Sequence, residues 1–229
     1  MIYFTSDLHC GHVQILNYEP KRQTVLGTTI EEHDTTLLNR INSKVQPDDV
    51  LIITGDFSLS DKKAVQEYRK RINCTTVIIV LGNHDRSQDY YKCGFQAVCY
   101  EMVVRISGEY VRLRHHPYRK PWYKAIFPWQ YKERDRNKRP INHGHYLIHG
   151  HIHSGGHRVS KAWRLYDKQL NVGVDVNKYY PVSIKEVESI IAKDKSKRDN
   201  KRRRYEPCTV LRKIKRMIRI YLRNYPTKT

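Results

Sequence analysis

The stretch VLIITGDF, residues 50–57, combines an apolar run with a polar loop, and this combination is the basis on which the fold is predicted. Its apolar and β-branched start predicts a buried strand, and Gly55 lets the backbone turn tightly where that strand ends. Asp56 follows at once, so we expect a carboxylate on a loop held by a rigid sheet, where α/β proteins build their sites. The same order, an apolar run followed by polar side chains, recurs along the chain.

Further strands and helices are predicted on both sides of this stretch. Four more apolar runs predict buried strands, and one alternating run predicts a strand with one face in water; they lie at 2–6, 76–81, 146–149, 170–176 and 110–114. Helices with one apolar face are predicted over 29–45 and 60–72, and SIKE at Ser183 is a capping-box sequence that begins a third. Strands and helices that alternate in this way predict a layered α/β domain.

Length and cysteine content restrict the class of protein. A chain of 229 residues suits one domain, or one domain with an appendage, and it buries enough surface to need no disulfide bonds. The five cysteines are odd in number, include no C-x-x-C pair and follow no apolar signal segment, so we expect reduced thiols in a cytoplasmic protein. No apolar run approaches the ~18 residues that a membrane-spanning helix needs.

The net charge of +20 is concentrated near the C-terminus. Residues 193–229 hold 15 Lys and Arg against 3 Asp and Glu, a balance of +12. This sign favours polyanions such as nucleic acid or anionic lipid head groups, although basic tails also serve solubility alone. The sequence therefore predicts a domain over residues 1–192 and a basic extension over 193–229, made of a charged linker and an amphipathic helix near 208–224.

Two basic segments have more than one interpretation. The helix near 208–224 could dock its apolar face on the domain, bind nucleic acid, or lie on a membrane surface. Residues 116–145 are rich in Arg, Lys and aromatic side chains, and they form either a loop that reads substrate or a basic surface flap.

Polar side chains with metal-ligand chemistry follow five of the predicted strands. They are Asp7, His9, Asp56, Asn83, His115, His151 and His153. Residues two apart in an extended segment point the same way, so Asp7 with His9, and His151 with His153, can each offer two ligands to one pocket. Carboxylate, imidazole and amide donors without a thiolate suit Mn, Fe or Zn. Seven ligands are too many for one catalytic ion, and a central carboxylate, Asp56, could bridge two.

The ordered blocks D-x-H, G-D, G-N-H-D, H and G-H-x-H resemble the calcineurin-like metallophosphoesterase superfamily. All five occur in order within residues 1–192, and together they are a specific signal. DLHCGH at the start and LNVGVDVNKYYPVSIKEV near the end are more narrowly similar to the small bacterial and phage phosphoesterases of that superfamily. The resemblance implies an α/β fold, a sandwich of two mixed β-sheets flanked by helices, with the site at one edge.

Carried over residue by residue, the resemblance implies two divalent metal ions that share Asp56. The first ion would be held by Asp7, His9, Asp56 and His153. The second would be held by Asp56, Asn83, His115 and His151. Mn is the metal expected, with Fe, Zn, Ni and Mg as alternatives. His116 competes with His115 as a ligand, and the H-x-P pattern of the family favours His115.

Four more residues are candidates for catalysis or substrate binding. His84 matches the family's catalytic histidine, which contacts phosphate and protonates the leaving oxygen, and Asp85 follows it as an orienting group. His12 could contact substrate or lie behind the ligands. Arg86 could bind a phosphate oxygen or remain solvated.

The expected function is hydrolysis of a phosphodiester in a nucleotide or nucleic acid by a metal-bridged hydroxide. Two ions ~3.5–4 Å apart activate a water and stabilise both attacking and leaving oxygens, and an imidazole near pKa ~6.5 can supply the leaving-group proton. One alternative is a phosphomonoesterase acting on a phosphoprotein or a nucleotide end. Another is a nucleic-acid-binding protein with a structural metal site, which would not require His84 or Asn83.

Overall fold

The computed structural model describes residues 1–85, 90–118, 139–154, 163–164 and 168–205. The chain divides into two compact units, Met1–Glu188 and Ser189–Thr229. Arg86, residues 119–138 of the basic segment and the predicted helix near 208–224 lie outside the described residues.

The first sheet carries the early part of the chain. Its strands are β1 (Ile2–Thr5), β2 (Val50–Ile53), β3 (Thr76–Val80), β4 (Ala97–Cys99) and β10 (Val182–Ser183). They lie in the order β10-β1-β2-β3-β4, with β1 to β4 parallel and β10 antiparallel to β1. Because parallel strands end at the same edge of a sheet, the loops after β1, β2 and β3 meet there.

The second sheet is also mixed. Its strands are β5 (Met102–Ile106), β6 (Glu109–Leu113), β7 (Tyr146–His149), β8 (Trp163–Arg164) and β9 (Gln169–Asn171). Their order is β5-β6-β7-β9-β8; β6, β7 and β9 are parallel, while β5 and β8 pair antiparallel with their neighbours. A parallel bridge between Ser6 and Gly173 joins the carboxyl ends of β1 and β9, so the strand ends of both sheets meet at one place.

Three of the five α-helices in the described residues begin at a side-chain cap, while the first two along the chain have none. The helices are α1 (Ile15–Tyr18), α2 (Lys21–Leu26), α3 (Ile30–Asn42), α4 (Lys62–Lys70) and α5 (Ile184–Tyr205). Thr29 and Glu32 form a reciprocal capping box at the start of α3, and Asp61 accepts from the backbone N–H of Ala64 at the start of α4. The predicted box at α5 is also present, since Ser183 Oγ accepts from Glu186 N at 3.3 Å and the Glu186 carboxylate accepts from Ser183 N at 2.7 Å.

A contiguous apolar core holds the first sheet to its helices. Leu37 and Ile41 of α3 and Val65 of α4 belong to one buried cluster with Ile53 of β2 and Ile79 of β3. All five side chains are at most 1% exposed, so this packing fixes the sheet edge on which the polar loops stand.

The predicted fold class, two mixed sheets flanked by helices, is confirmed. The short helices α1 and α2 and the strands β4, β5, β8 and β10 were not predicted from the sequence. The predicted charged linker from residue 193 differs from the structure, in which α5 continues to Tyr205. Lys and Arg are good helix formers, which accounts for a helix where little can be buried. None of the helices that the structure describes has the length and apolar character needed to cross a membrane.

Candidate metal centre

The seven predicted ligands lie after strands of both sheets. Four follow β1, β2 and β3 of the first sheet: Asp7, His9, Asp56 and Asn83. Three follow β6 and β7 of the second: His115, His151 and His153. The structure brings the two sets together at the edge where the strand ends meet.

The first group of donors consists of Asp7, His9 and His153. One ligand atom from each lies within 4.8 Å of the other two. Both ring nitrogens of His9 are buried and have no hydrogen-bond partner among the described residues. A buried imidazole without a partner is costly, and a metal ion would satisfy one of these nitrogens.

The second group consists of Asp7, Asp56 and His115, again within 4.8 Å of one another. His115 Nε2 lies 3.2 Å from Asp56 Oδ2 and 2.9 Å from Asn83 Oδ1, and His151 Nδ1 lies 3.0 Å from the same Asn83 oxygen. His115 Nδ1 donates to the Thr54 carbonyl at 2.9 Å, so Nε2 is the nitrogen that could bind a metal ion. Asp7 and Asp56 therefore both face more than one imidazole.

Five of the seven ligands have left-handed backbone, a conformation that is uncommon for residues other than glycine. They are Asp7 (φ 59°), His9 (φ 54°), Asp56 (φ 53°), His151 (φ 71°) and His153 (φ 42°). The expectation that each i, i+2 pair is extended is therefore wrong, because both residues of each pair have left-handed backbone. Strain of this kind persists where surrounding contacts impose it, and it concentrates at functional sites.

Backbone donors hold the two buried carboxylates. The N–H of His151 donates to both oxygens of Asp7 at 3.0 Å, and the N–H of His84 donates to Asp56 Oδ1 at 3.0 Å. Each carboxylate is thus fixed by a loop that carries another candidate site residue. The ligand geometry depends on the loops staying close together.

Gly82 lies where the loops after β2 and β3 are so close together that a side chain would not fit. A Cβ at position 82 would lie 2.2 Å from Asp56 Oδ1 and 2.6 Å from Asp56 N. We expect Gly82→Ala to displace Asp56, to cost roughly 1–3 kcal/mol of unfolding free energy, and to reduce Mn²⁺ content and activity. The measurements are the melting temperature and the Mn²⁺ content of the purified variant.

Gly108→Ala is the matched control. Gly108 has φ +80°, and a Cβ there meets nothing within 4 Å, so alanine adds backbone strain away from the site. Its melting temperature should fall while its Mn²⁺ content stays at the wild-type value. Equal Mn²⁺ content in the two alanine variants would contradict the argument.

The pKa values of the Asp7 and Asp56 carboxylates are shifted in opposite directions. Burial raises the pKa of Asp7 above its ordinary value, although His153 and His115 act in the opposite direction. Burial acts on Asp56 in the same sense, but His115, His9 and the backbone N–H of His84 together outweigh it and hold the pKa of Asp56 below its ordinary value. Of these two carboxylates, Asp56 is thus the one whose charge the surroundings favour.

The pKa values of the four imidazoles are shifted in two directions. Burial lowers the pKa of His9 to about 2 and that of His151 to about 3, which favours their neutral forms. Burial would also lower the pKa of His115, but the charge and hydrogen bond of Asp56, the charge of Asp7 and the Thr54 carbonyl together raise that pKa to about 9. The pKa of His153 is raised as well, because Asp7 and Asp175 overcome burial. The cluster favours bound cations at neutral pH.

The donor set fits divalent metal ions. It offers buried carboxylates, imidazole nitrogens and an amide oxygen, with no thiolate among the grouped residues. The unpartnered nitrogens of His9 and the raised pKa of His115 both indicate a place for positive charge. A third set, Glu19 with His153 and Asp175, is less suited, because both Asp175 oxygens already accept from Arg22.

Fold and donors together define a metalloenzyme of the α/β class with its centre at the strand ends. The chain belongs to the calcineurin-like phosphoesterase family, whose sequence model matches residues 1–201. Members of this family are metal-dependent phosphoesterases, so the protein is a metal-dependent hydrolase of phosphate esters, and the resemblance given by the sequence motifs is confirmed.

Similar proteins come from archaea, phages and bacteria. An uncharacterized protein of Methanocaldococcus jannaschii, MJ1445, is 26% identical over 85% of this chain and 93% of its own length. The gene 66 protein of Mycobacterium phage L5 is 29% identical over 76% of this chain and 86% of its own. A crystal structure of AQ665, a protein of unknown function from Aquifex aeolicus, has a TM-score of 0.58 at 24% identity, covering 83% of this chain and 98% of that one. The last likeness supports the fold.

His84 is an exposed residue at the border of the centre. Its ring lies 5.5 Å from that of His9 and 6.4 Å from that of His12, centroid to centroid. The side chain also lines a cleft of about 460 Å³ together with Ser58, Leu59, Ser60, Asp61, Val65, Asn83, Asp85 and Tyr90. His84 therefore lies beside both the candidate ligands and this cleft.

Asp85 contacts other groups than the sequence led us to expect. It was predicted to orient His84, but its carboxylate accepts from Asp56 N at 2.7 Å, Phe57 N at 3.1 Å, Gly82 N at 2.8 Å and Tyr90 Oη at 2.6 Å. These bonds tie the loop after β2 to the loop after β3. Asp85 thus positions the loops that carry Asp56 and Asn83.

Of the remaining candidate residues, the structure describes His12 and His116. The His12 ring lies 5.4 Å from that of His9, which places it beside the first group. The His116 ring lies 4.3 Å from that of His151, centroid to centroid, and is tilted by 39° to it, while His115 is the ring next to Asp56. Arg86 is outside the described residues.

Sequence reasoning missed the buried charges behind the ligands: Arg22, His33, Asp34 and Asp175. Asp175 accepts from His153 Nδ1 at 2.9 Å, which leaves Nε2 of that ring as the ligand atom. A signal was present in α3, where His33 and Asp34 occupy the same face as Leu37, Leu38 and Ile41. Polar residues on the apolar face of a helix indicate a buried hydrogen-bond network.

Proposed function

We propose that this protein hydrolyses a phosphodiester of a nucleotide or nucleic acid with two divalent ions. The observation that carries the proposal is the convergence of the buried Asp7, Asp56, His9 and His115 with the partly buried His153, next to an exposed His84. Family membership supplies the reaction class. The diester substrate, the number of ions and the residue roles do not follow from family membership and are what we propose.

The proposed ligand sets follow the family motif. The first ion is assigned to Asp7, His9, Asp56 and His153. The second is assigned to Asp56, Asn83, His115 and His151. Mn²⁺ is proposed because these oxygen and nitrogen donors include no thiolate. Bound in these sets, the two ions would clamp the phosphate and lower the pKa of an attacking water.

His84 is assigned the leaving-group proton. Its ring lies 5.5 Å from that of His9, and its backbone N–H, bonded to Asp56, fixes the loop that carries it. Small-molecule sites measure about 300–1,000 Å³, so the cleft of about 460 Å³ beside His84 can hold one arm of a diester. A proton donated at this border would reach the oxygen of that arm.

The basic character of the chain supports an anionic polymer or nucleotide as substrate. The net charge is +20 and the sequence pI is about 9.8. A positive field raises the local concentration of polyanions and their association rate, and both effects decrease with salt. Binding of an oligonucleotide should therefore weaken steeply as ionic strength rises.

Substrate class is tested by paired assays with and without metal. Chelation with EDTA should abolish turnover and lower the melting temperature, because metals that bind only the folded state stabilise it, and Mn²⁺ should restore both. Bis-p-nitrophenyl phosphate, cyclic nucleotides and oligonucleotides are compared with p-nitrophenyl phosphate at equal concentration. A higher kcat/KM for the monoester would favour the phosphomonoesterase alternative. A protein that holds two metals and hydrolyses no diester would refute the proposal.

A further inference from the structure

Arg22 is a buried arginine behind the first group of ligands. Its side chain is 0% exposed, and its guanidinium forms a bidentate ion pair with Asp175, from Nε to Oδ1 at 2.7 Å and from Nη2 to Oδ2 at 2.7 Å. Asp175 Oδ2 also accepts from His153 Nδ1 at 2.9 Å. Arg22 thus reaches a proposed metal ligand through one carboxylate.

The same guanidinium contacts the loop after β1. Nη2 donates to the carbonyl oxygen of Asp7 at 2.7 Å, and Nη1 donates to that of Leu8 at 3.0 Å. Asp7 has left-handed backbone, so these bonds fix a carbonyl in a conformation that a free loop rarely adopts. One side chain therefore holds the loops that carry Asp7 and His153.

The network extends from Arg22 into α3. Arg22 Nη1 lies 3.2 Å from His33 Nε2, and His33 Nδ1 lies 2.8 Å from Asp34 Oδ1. A guanidinium can only donate, so His33 Nε2 accepts and its Nδ1–H donates to Asp34. Asp34 Oδ2 in turn accepts from Gly11 N at 2.9 Å, in the same loop as His9. α3 thus holds the Gly11 end of this loop directly, and it reaches the Asp7 end through Arg22 of α2.

General stability is a poor explanation for this network. Desolvating an arginine and a carboxylate costs free energy that their attraction often does not recover, and apolar residues of similar volume can replace such pairs without loss. A planar guanidinium that makes five directed bonds does fix geometry. Its partners in the described structure are the carboxylate behind His153, two carbonyls of the loop after β1, and His33.

We propose that Arg22 and Asp175 form a positioning unit that sets the affinity of the first metal ion. The unit would fix the His153 ring so that Nε2 can bind the ion, and it would hold Asp7 and His9 in their left-handed backbone conformations. The inference rests on the proposed ligand sets. Its specific consequence is that loss of the unit weakens the first ion more than the second. Asp7 also lies within 4.8 Å of Asp56 and His115, but Asn83, His115 and His151 are held through other contacts.

The test is a Mn²⁺ titration of the full-length protein, with free Mn²⁺ measured by electron paramagnetic resonance and folding measured by thermal melts. Asp175→Asn keeps the shape of the side chain, and Arg22→Lys keeps the charge but loses the planar fork. Each is expected to bind one of two Mn²⁺ ions about 10- to 100-fold more weakly, the usual effect of losing a partner of a metal ligand.

Arg69→Lys is the matched control. Arg69 is also buried, and it donates to the carbonyls of Ile72, Cys74, Thr75 and Gly94, which carry no proposed ligand. It should lower the melting temperature and leave both Mn²⁺ affinities unchanged. If Arg22→Lys does not fold, Asp175→Asn decides the outcome.

The outcomes separate this inference from the proposed function. Wild-type protein that takes up fewer than two Mn²⁺ ions would overturn both. Two ions in the wild type, with unchanged affinities in the Asp175→Asn and Arg22→Lys variants, would overturn the positioning unit alone. Equal weakening of both ions in every variant, Arg69→Lys included, would also overturn it, because a general loss of structure would then suffice.

Discussion

Asp56→Asn should eliminate nearly all phosphoester hydrolysis and lower the Mn²⁺ content of the folded protein. Asp56 is 2% exposed, and its Oδ2 lies 3.2 Å from His115 Nε2 and 3.6 Å from His9 Nε2, between rings from both sheets. Asparagine keeps the shape and leaves an oxygen to accept from His84 N, so the loop should still form. It removes the charge, and an amide N–H₂ directed at the rings would oppose a cation there.

The expected loss of kcat/KM exceeds ~100-fold, since removing only the partner of a metal ligand costs about 10- to 100-fold. The measurements are kcat/KM on a diester substrate and metal analysis of the variant. Asp49→Asn is the control, because Asp49 is a largely buried carboxylate just before β2, bonded to Gln46 N and to the Met1 ammonium. Its activity should stay at the wild-type value. Full metal content and turnover in Asp56→Asn would remove Asp56 from the ligand assignment.

The strands and the approximate location of the site could be predicted from the sequence because both depend on local pattern. A run such as VLIIT is buried whatever lies far away, and parallel strands must end at a common edge. Asp7, Asp56 and His115 could therefore be grouped before their distances were known. The short elements α1, α2 and β8 could not be predicted, because a few residues carry too little periodicity to distinguish a helix or a strand from a loop.

The backbone of the ligand loops was not predictable. Aspartate and histidine occur in both extended and left-handed conformations, so D-x-H is compatible with either. The i, i+2 argument placed Asp7 and His9 in one pocket, and the structure has both there, but with φ of 59° and 54°. Tertiary hydrogen bonds impose this left-handed backbone. Among them are those from Asp7 N to Gly55 O and from His9 N to Asp56 O, both at 3.0 Å.

Contacts between distant parts of the chain explain the residues that were missed. Arg22 and Asp175 are separated by 153 positions. Arg22 belongs to no quoted motif, and Asp175 lies within LNVGVDVNKYYPVSIKEV but outside the five blocks that carry the predicted ligands. Similarly, Asp85 follows His84 directly, which suggested an interaction between neighbours, whereas its carboxylate faces Asp56 N and Gly82 N. Adjacent residues on a turn often point in different directions, so sequence proximity could not assign this role.

His84→Ala should reduce turnover about 10²- to 10⁴-fold on an ester with an alcohol leaving group, the usual contribution of a general acid. The backbone N–H that donates to Asp56 remains in the variant, and the His84 ring is not part of the donor groups around Asp7 and Asp56. Metal content should therefore equal that of the wild type. His145→Ala is the control, because His145 is an exposed histidine whose ring packs against Tyr110.

The choice of leaving group distinguishes proton donation from simple phosphate binding. A p-nitrophenolate departs without protonation, so bis-p-nitrophenyl phosphate should lose much less activity in His84→Ala than a diester with an alkyl or nucleoside leaving group. A side chain that only binds phosphate would affect both esters equally, and mainly through KM. Equal losses on the two esters would therefore assign His84 to phosphate binding. A large difference, confined to kcat, would assign it to the leaving oxygen, on the side where the cleft opens.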